Sequence, residues 1–211
     1  MARCSSCSAP LPANSNRCRY CGTRNDVDLS GQNYQVAQEF SNRICPHCDI
    51  PLQTILLKKA NPLFIEHCTQ CFGLFFDPGE LEVLLEQSVS GAIHINLKHL
   101  VNINRDRYQG AKKVRYIKCP QCRNFMKRAN FGYRSGVVIN KCPIHGVWLD
   151  NGDLIHLLEW KKAGGQLLHK QHAKKTQAQK KHALPLSDNF STGKAGTDDL
   201  EAAGYKSGRF Y

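Results

Sequence analysis

The chain has 211 residues, 41% of them hydrophobic and 22% charged, with eleven cysteines and a formal net charge of +12. So little apolar material, a good part of it cysteine, excludes one large core, and small units short of core depend on metals or disulfides to fold. No run reaches the roughly 18 apolar residues of a membrane helix, and Met1-Ala2-Arg3-Cys4 lacks the apolar stretch of a secretory signal. A cytoplasmic, reducing setting is therefore expected, in which thiols persist.

Ten of the eleven cysteines fall in Cys-x-x-Cys pairs: Cys4/Cys7, Cys18/Cys21, Cys45/Cys48, Cys68/Cys71 and Cys119/Cys122. The eleventh, Cys142, has His145 where its partner would stand. An odd number cannot close a disulfide framework within one chain. Eleven thiols and one imidazole do make three closed sets of four soft donors, which is what structural Zn²⁺ takes. The expected sets are Cys4, Cys7, Cys18 and Cys21; Cys45, Cys48, Cys68 and Cys71; and Cys119, Cys122, Cys142 and His145. Iron suits the two all-cysteine sets by spacing as well, whereas His145 disfavours it in the third; zinc is the ion expected at all three. Eleven thiolates and three Zn²⁺ ions contribute a net −5, which lowers the chain's +12 to about +7.

In chain order, residues 1–24 read as a short first unit with a turn at Pro10 and Pro12. Its Arg3, Arg17, Arg19 and Arg24 are expected to offset the charge of the metal centre, with a nucleic-acid contact as the alternative. Residues 25–43 read as a polar linker, with a short amphipathic helix near Tyr34–Phe40. In the second unit, residues 44–88, Leu52, Ile55 and Leu57 and then Leu63–Ile65 predict the strands of a hairpin, with Lys58–Pro62 as its turn. Asp77-Pro78-Gly79-Glu80 predicts a helix with Asp77 as N-cap, Pro78 at the first position and Glu80 completing a variant capping box. Leu81, Leu84 and Leu85 share one face of that helix. Residues 89–118 read as a basic linker with a weak strand at His94–Leu97.

Residues 119–162 repeat the second unit. Cys45, Cys48 and Cys68 recur 74 positions later, and beyond the ligands the offset becomes 73. Gly73, Phe75, Asp77, Gly79, Glu80 and Leu81 then match Gly146, Trp148, Asp150, Gly152, Asp153 and Leu154. The third unit has lost one residue between its last ligand and the glycine, and a repeat of this length marks a duplication. After Gly164-Gly165 breaks the helix, residues 163–211 read as a polar, basic helix over Gln166–His182 and a disordered tail from Pro185. The fold expected is a small metal-stabilised α+β protein: three zinc ribbons in series, with a basic, partly disordered C-terminal tail.

Cys-Pro-x-Cys, a second pair, then Gly-x-(Trp/Phe)-(Leu/Phe)-Asp-x-Gly-(Glu/Asp)-Leu resembles the transcription-factor-IIB-type zinc ribbons. Both larger units carry it, Cys142–Leu154 more closely and the segment ending Phe75–Leu81 also well. The first unit resembles the short zinc ribbon that opens many prokaryotic proteins. The resemblance implies metal-stabilised knuckles on a small sheet and an association with transcription; it implies no promoter-binding cyclin-like repeats, for which this chain has no room.

Closed, thiolate-rich donor sets point to structure rather than catalysis, which keeps an open metal position. The deaminase signature is missing from the sequence. The pairs flank hairpins instead of opening a helix in a βαβ unit, so redox chemistry of the thioredoxin kind is not expected. Phe75 and Trp148 are expected to pack in the core, with base stacking as the alternative. His47, His67, His94, His99, His156, His169, His172 and His182 read as surface residues, and His169/His172 as a possible accessory metal pair. Basic residues favour a phosphate backbone: Arg105, Arg107, Lys112, Lys113, Arg115, Lys118, Arg123, Lys127, Arg128, Lys174, Lys175, Lys180 and Lys181 are the candidate contacts. The function expected is a non-enzymatic zinc protein binding nucleic acid or the transcription or translation machinery. The alternative is a protein–protein adaptor.

Overall fold

A computed structural model describes residues 3–11, 16–30, 32–58, 61–89, 94–107 and 114–182. The expected tail, Lys112 and Lys113 lie outside these residues. The second unit supplies strands β2 (Gln53–Leu57), β3 (Leu63–His67) and β4 (Leu74–Phe76), followed by helix α1 (Glu80–Ser88). The third supplies β5 (Lys127–Asn130), β6 (Val138–Cys142) and β7 (Gly146–Leu149), followed by α3 (Asp153–Lys162). With β1 (Tyr34–Gln38) at one edge they form a single seven-stranded sheet, in the order β1-β2-β3-β4-β7-β6-β5.

The join between the halves is β4 on β7, antiparallel, with Leu74 opposite Leu149, Phe75 opposite Trp148 and Phe76 opposite Val147. Phe75 therefore faces its own repeat equivalent. The contact is self-complementary, as in a two-fold homodimer, and the two ribbons are serial in sequence but fused in space. Each covers the open edge that the other would otherwise expose.

Alternation along β4 and β7 sends side chains to two faces. Leu74, Phe76, Val147 and Leu149 join Ile55, Leu57 and Ile65 under Leu81, Leu84 and Leu85 of α1 and Leu154, Leu157 and Leu158 of α3. Phe75 and Trp148, both fully buried, turn the other way and pack with the cysteines of the second and third sets, Leu52, Ile117 and Met126. The expectation of core packing at these two aromatics is met.

Several local expectations need correction. Tyr34–Gln38 is a strand rather than a helix, pairing antiparallel with β2 from Tyr34/Leu57 to Gln38/Thr54. An open edge of hydrogen-bonding groups on β2 outweighs the weak helical pattern of a five-residue stretch. His94–Leu97 forms no strand; Leu97 opens helix α2 (Leu97–Arg107), whose first turn is capped by Asn96 Oδ1 accepting from the His99 N–H at 3.0 Å. Leu100 and Ile103, one turn apart, bury against Trp160 and Ala163. Asp77 is not the N-cap of α1: that place falls to Gly79, at φ 89°. The Asp77 carboxylate instead pairs with Arg43 at 2.7 Å, while Glu80 keeps its half of the capping box by accepting from the Asp77 N–H at 2.8 Å. The third unit does the same with Asp153 and the Asp150 N–H, at 3.2 Å. After α3 the chain turns at Gly164, and α4 runs Gly165–His182.

Residues 25–29 dock the first unit onto α3. Asn151 donates to the Asn25 carbonyl at 2.7 Å and accepts from the Val27 N–H at 3.2 Å, and Asn16 donates to the Asn151 carbonyl at 3.0 Å. Gly152, at the N-cap of α3, has no side chain to offer. Asp28 takes over from 124 residues away, accepting from the Gly152 and Ile155 N–H groups at 2.7 and 2.8 Å. Burial pushes the Asp28 carboxyl up to about 7, against those two N–H groups and with help from the nearby charges of Asp153 and Asp26. The unfolded chain loses this proton near 3.8, so between the two values the folded state holds more protons and stability falls as pH rises. Denaturant unfolding at pH 5.5, 6.5 and 7.5 should show a loss on the order of 1 kcal/mol per pH unit that levels above pH 7. Asp28→Asn should flatten it; an unchanged slope in that variant would remove Asp28 as its cause.

Candidate metal centres

Five Cys-x-x-Cys turns share one backbone geometry. The N–H of Cys4, Cys18, Cys45, Cys68 and Cys119 donates to the carbonyl five residues on, and the carbonyl of each accepts from the N–H four residues on, all at 2.8–3.1 Å. The residue after each second cysteine is left-handed: Ser8, Gly22, Asp49, Phe72 and Arg123 have φ between 54° and 73°. Both sulfurs of a pair then lie on the same side of the turn. The sixth knuckle is shorter. His145 is followed directly by Gly146, at φ 116°, which takes the left-handed position and starts β7 at once. The single residue missing from the repeat is thus the counterpart of Phe72.

The twelve donors gather into the three expected sets, the four ligand atoms of each lying within 4.8 Å of one another. Sulfur pairs stand at 3.6 Å for Cys4/Cys21, Cys7/Cys18 and Cys45/Cys71, and at 3.9 Å for Cys122/Cys142. His145 presents Nδ1, at 3.5 Å from Cys142 and 3.8 Å from Cys119. A tetrahedron with Zn–S bonds of about 2.3 Å has sulfur–sulfur edges of about 3.8 Å, far longer than a disulfide. All eleven cysteines are free thiols. The donor sets fit a tetrahedral soft metal.

Electrostatics within the sets says the same. Hydrogen bonds from Cys45 and Cys71 drive the Cys68 thiol far down, and those with Cys45 and Cys68 drive Cys71 far up. Like charge and burial oppose ionising the four thiols together, and a divalent cation relieves that opposition. Burial raises Cys142, but the N–H groups of Ile144 and His145 and the His145 ring outweigh it and bring the thiol to about 7. The sets differ in shelter. Cys7 and Cys21 are exposed, whereas Cys45, Cys68 and Cys71 are buried.

Residues 44–87 match the family model described as the transcription factor zinc-finger. This segment is a zinc ribbon of the transcription factor IIB type. For that ribbon the family implies zinc in the Cys45, Cys48, Cys68 and Cys71 set. No curated protein and no solved structure matches the chain.

The knuckles of the second and third sets touch. The Ile44 N–H donates to the Pro120 carbonyl at 3.1 Å, and Arg123 pairs with Asp49, its own repeat equivalent, at 3.0 Å. Lys118 lies over the Phe125 ring at 5.9 Å. Lys127 and Arg128 stand exposed on edge strand β5, and Lys174 and Lys175 are exposed on α4. Arg105 is exposed on α2 and Arg115 just before the third knuckle. The side chains of Arg107, Lys180 and Lys181 lie outside the described residues.

Histidines are less superficial than expected. His67 and His156 are buried; His67 meets Asp26 at 3.0 Å, and His156 Nε2 lies 2.9 Å from the Ser135 carbonyl. His169 and His172 form no metal set among the described residues. Tyr133 occupies both, donating its N–H to His169 Nδ1 at 3.0 Å and stacking on His172 at 3.8 Å. Asn25, Asp28 and Asn151 are single polar residues with no local pattern in the sequence to mark them.

Proposed function

We propose that the protein is a non-enzymatic zinc-binding module of a nucleic-acid machine, with three Zn²⁺ ions, its third unit a second copy of the transcription-factor-type ribbon, working in a reducing cytoplasm. The observation carrying this reading is the cationic margin beside the third knuckle. Lys127 and Arg128 form the outer edge of the sheet, Lys141 lies directly opposite Lys127, and Arg115 and Lys118 precede the knuckle. Two fused, metal-pinned ribbons make a rigid support for such a margin. Rigid presentation of charge to phosphates yields affinity without base readout. Donor sets closed at four support a structural role for the metal.

The test is salt dependence. Binding to a mixed single-stranded RNA should weaken by about 0.7 in log K per log unit of salt for every phosphate neutralised, so four contacts give a slope near ~−3. A flat response would overturn the reading. A second reading, a protein adaptor, is favoured by exposed Val36 on edge strand β1 and exposed Phe40 and Phe64; a flat salt response with retained partner capture would support it.

A further inference from the structure

The duplication supplies an internal control for one pocket. Across the middle of the sheet, on the face that bears the metal knuckles, cross-strand neighbours form a row: Thr54, Glu66, Phe75, Trp148, Asn140 and Arg128. Repeat equivalents stand symmetrically about its centre, Glu66 matching Asn140 and Thr54 matching Arg128. In the second unit the row is closed. The Glu66 carboxylate accepts from the Thr54 hydroxyl at 3.2 Å and pairs with Arg43 at 3.6 Å, and Arg43 covers the Phe75 ring at 5.2 Å.

In the third unit the same place is open. The counterpart of Arg43 is Ile117, which has no polar group to offer. Asn140 is 7% exposed, and its Oδ1 is buried with no hydrogen-bond partner. A buried amide oxygen left unpaired is destabilising unless a ligand or water satisfies it. It lines a cavity of about 540 Å³ whose wall also holds Arg24, Arg115, Arg128, His47 and Asp150, with Cys48 and Cys71 of the second donor set at one side. The guanidinium groups of Arg24, Arg115 and Arg128 meet no acceptor among the described residues. The one carboxylate there, Asp150, is engaged by His47 Nε2 at 3.0 Å and by the Trp148 Nε1–H at 3.1 Å. The size is that of a small-molecule site.

The geometry points to a nucleotide-binding pocket where the three units meet, in which the arginines hold a phosphate and the Asn140 amide reads the amino edge of a base. Guanidinium groups suit phosphate oxygens, and a carboxamide pairs with base edges that carry an amine. The nucleotide belongs either to a single strand or to the free pool. The first source rests on the nucleic-acid reading above, and the second does not.

The full zinc-loaded chain would be titrated with adenosine 5′-monophosphate, ribose 5-phosphate and a mixed twelve-residue single-stranded RNA, following the Asn140 side-chain amide by NMR. Adenosine monophosphate should shift that amide and bind better than ribose 5-phosphate. Arg115→Ala and Arg128→Ala should each weaken it about tenfold, while Lys98→Ala, exposed on α2, leaves it unchanged. Asn140→Leu should abolish the preference over ribose 5-phosphate and leave the melting temperature unchanged or raised, because it removes an unsatisfied acceptor. RNA and monophosphate binding both sensitive to these variants support the pocket with a strand as its source. Monophosphate binding alone supports it with the free nucleotide and sinks the nucleic-acid reading. RNA binding that ignores Asn140→Leu, with no shift at the Asn140 amide, overturns the pocket and leaves that reading standing; binding of neither overturns both.

Discussion

Graded chelation is expected to release the metal in two stages: one ion first, with the sheet intact, then two together as the sheet unfolds. The first set meets the rest of the fold through the hydrogen bonds of Asn16, Asn25 and Asn151 rather than through a shared apolar core. Among the described residues Cys4 and Cys18 pack with Leu11 and Ala9 in a small satellite cluster, and two of the four sulfurs are exposed. The second and third sets share one core, in which Cys45, Cys68, Cys71, Cys119 and Cys142 surround Phe75 and Trp148. Losing either ion frees thiols inside that common core and removes the support of the opposite knuckle through Ile44/Pro120 and Asp49/Arg123. Structural zinc sites contribute on the order of 10 kcal/mol to folding, comparable to the whole stability of a domain. Zinc release measured colorimetrically should therefore fall from three to two ions per chain at unchanged circular dichroism, then to none together with the sheet signal. Three separate steps, or sheet loss accompanying the first ion, would contradict the shared core.

What the sequence makes legible here is whatever repeats or binds metal. Ligand spacing carries all three donor sets, and the offset of 73–74 carries the correspondence of α1 with α3. The fusion of the ribbons is not legible. Strand β4 is three residues long and buried on both faces, so Leu74-Phe75-Phe76 shows no alternation to mark a sheet edge. Its partner lies 73 residues away and could be named only by asking which surface of a duplicated unit is complementary to itself. Helix α2 was legible in principle, from Asn96 as cap and Leu100/Ile103 one turn apart, but a run rich in Asn, Arg and Lys masks two buried positions. Asp28 has no pattern at all; its role exists only once the N-cap of α3 is a glycine. The pocket stands between these cases. Asn140 is unremarked alone, yet the same offset that aligns the ligands sets it against Glu66 and sets Ile117 against Arg43, and that comparison shows a position that lost its partner.

Trp148→Ala should be the most damaging substitution outside the ligands, because Trp148 lies at the centre of the pseudo-two-fold join. It is fully buried, faces Phe75 across β4 and β7, and gives its Nε1–H to Asp150. Its indole lies so close over Gly73 that any side chain there would overlap it, and the repeat glycine, Gly146, is pressed likewise against the Phe76 carbonyl. A loss of about 3–5 kcal/mol is expected, against total stabilities of about 5–15 kcal/mol. Trp148→Phe is the informative companion. It reproduces the residue of the second unit, keeps most of the apolar contact, and loses the hydrogen bond to Asp150, so it should cost about 1–2 kcal/mol. Urea unfolding of the zinc-loaded proteins should rank wild type above Trp148→Phe above Trp148→Ala, with Asp150 still held by His47 in the phenylalanine variant. If alanine costs no more than phenylalanine, the join is held by its backbone ladder and the two aromatics merely fill it. If the order stands, the aromatic pair is what makes two ribbons one sheet, and the open row beside it in the third unit rests on a fixed frame.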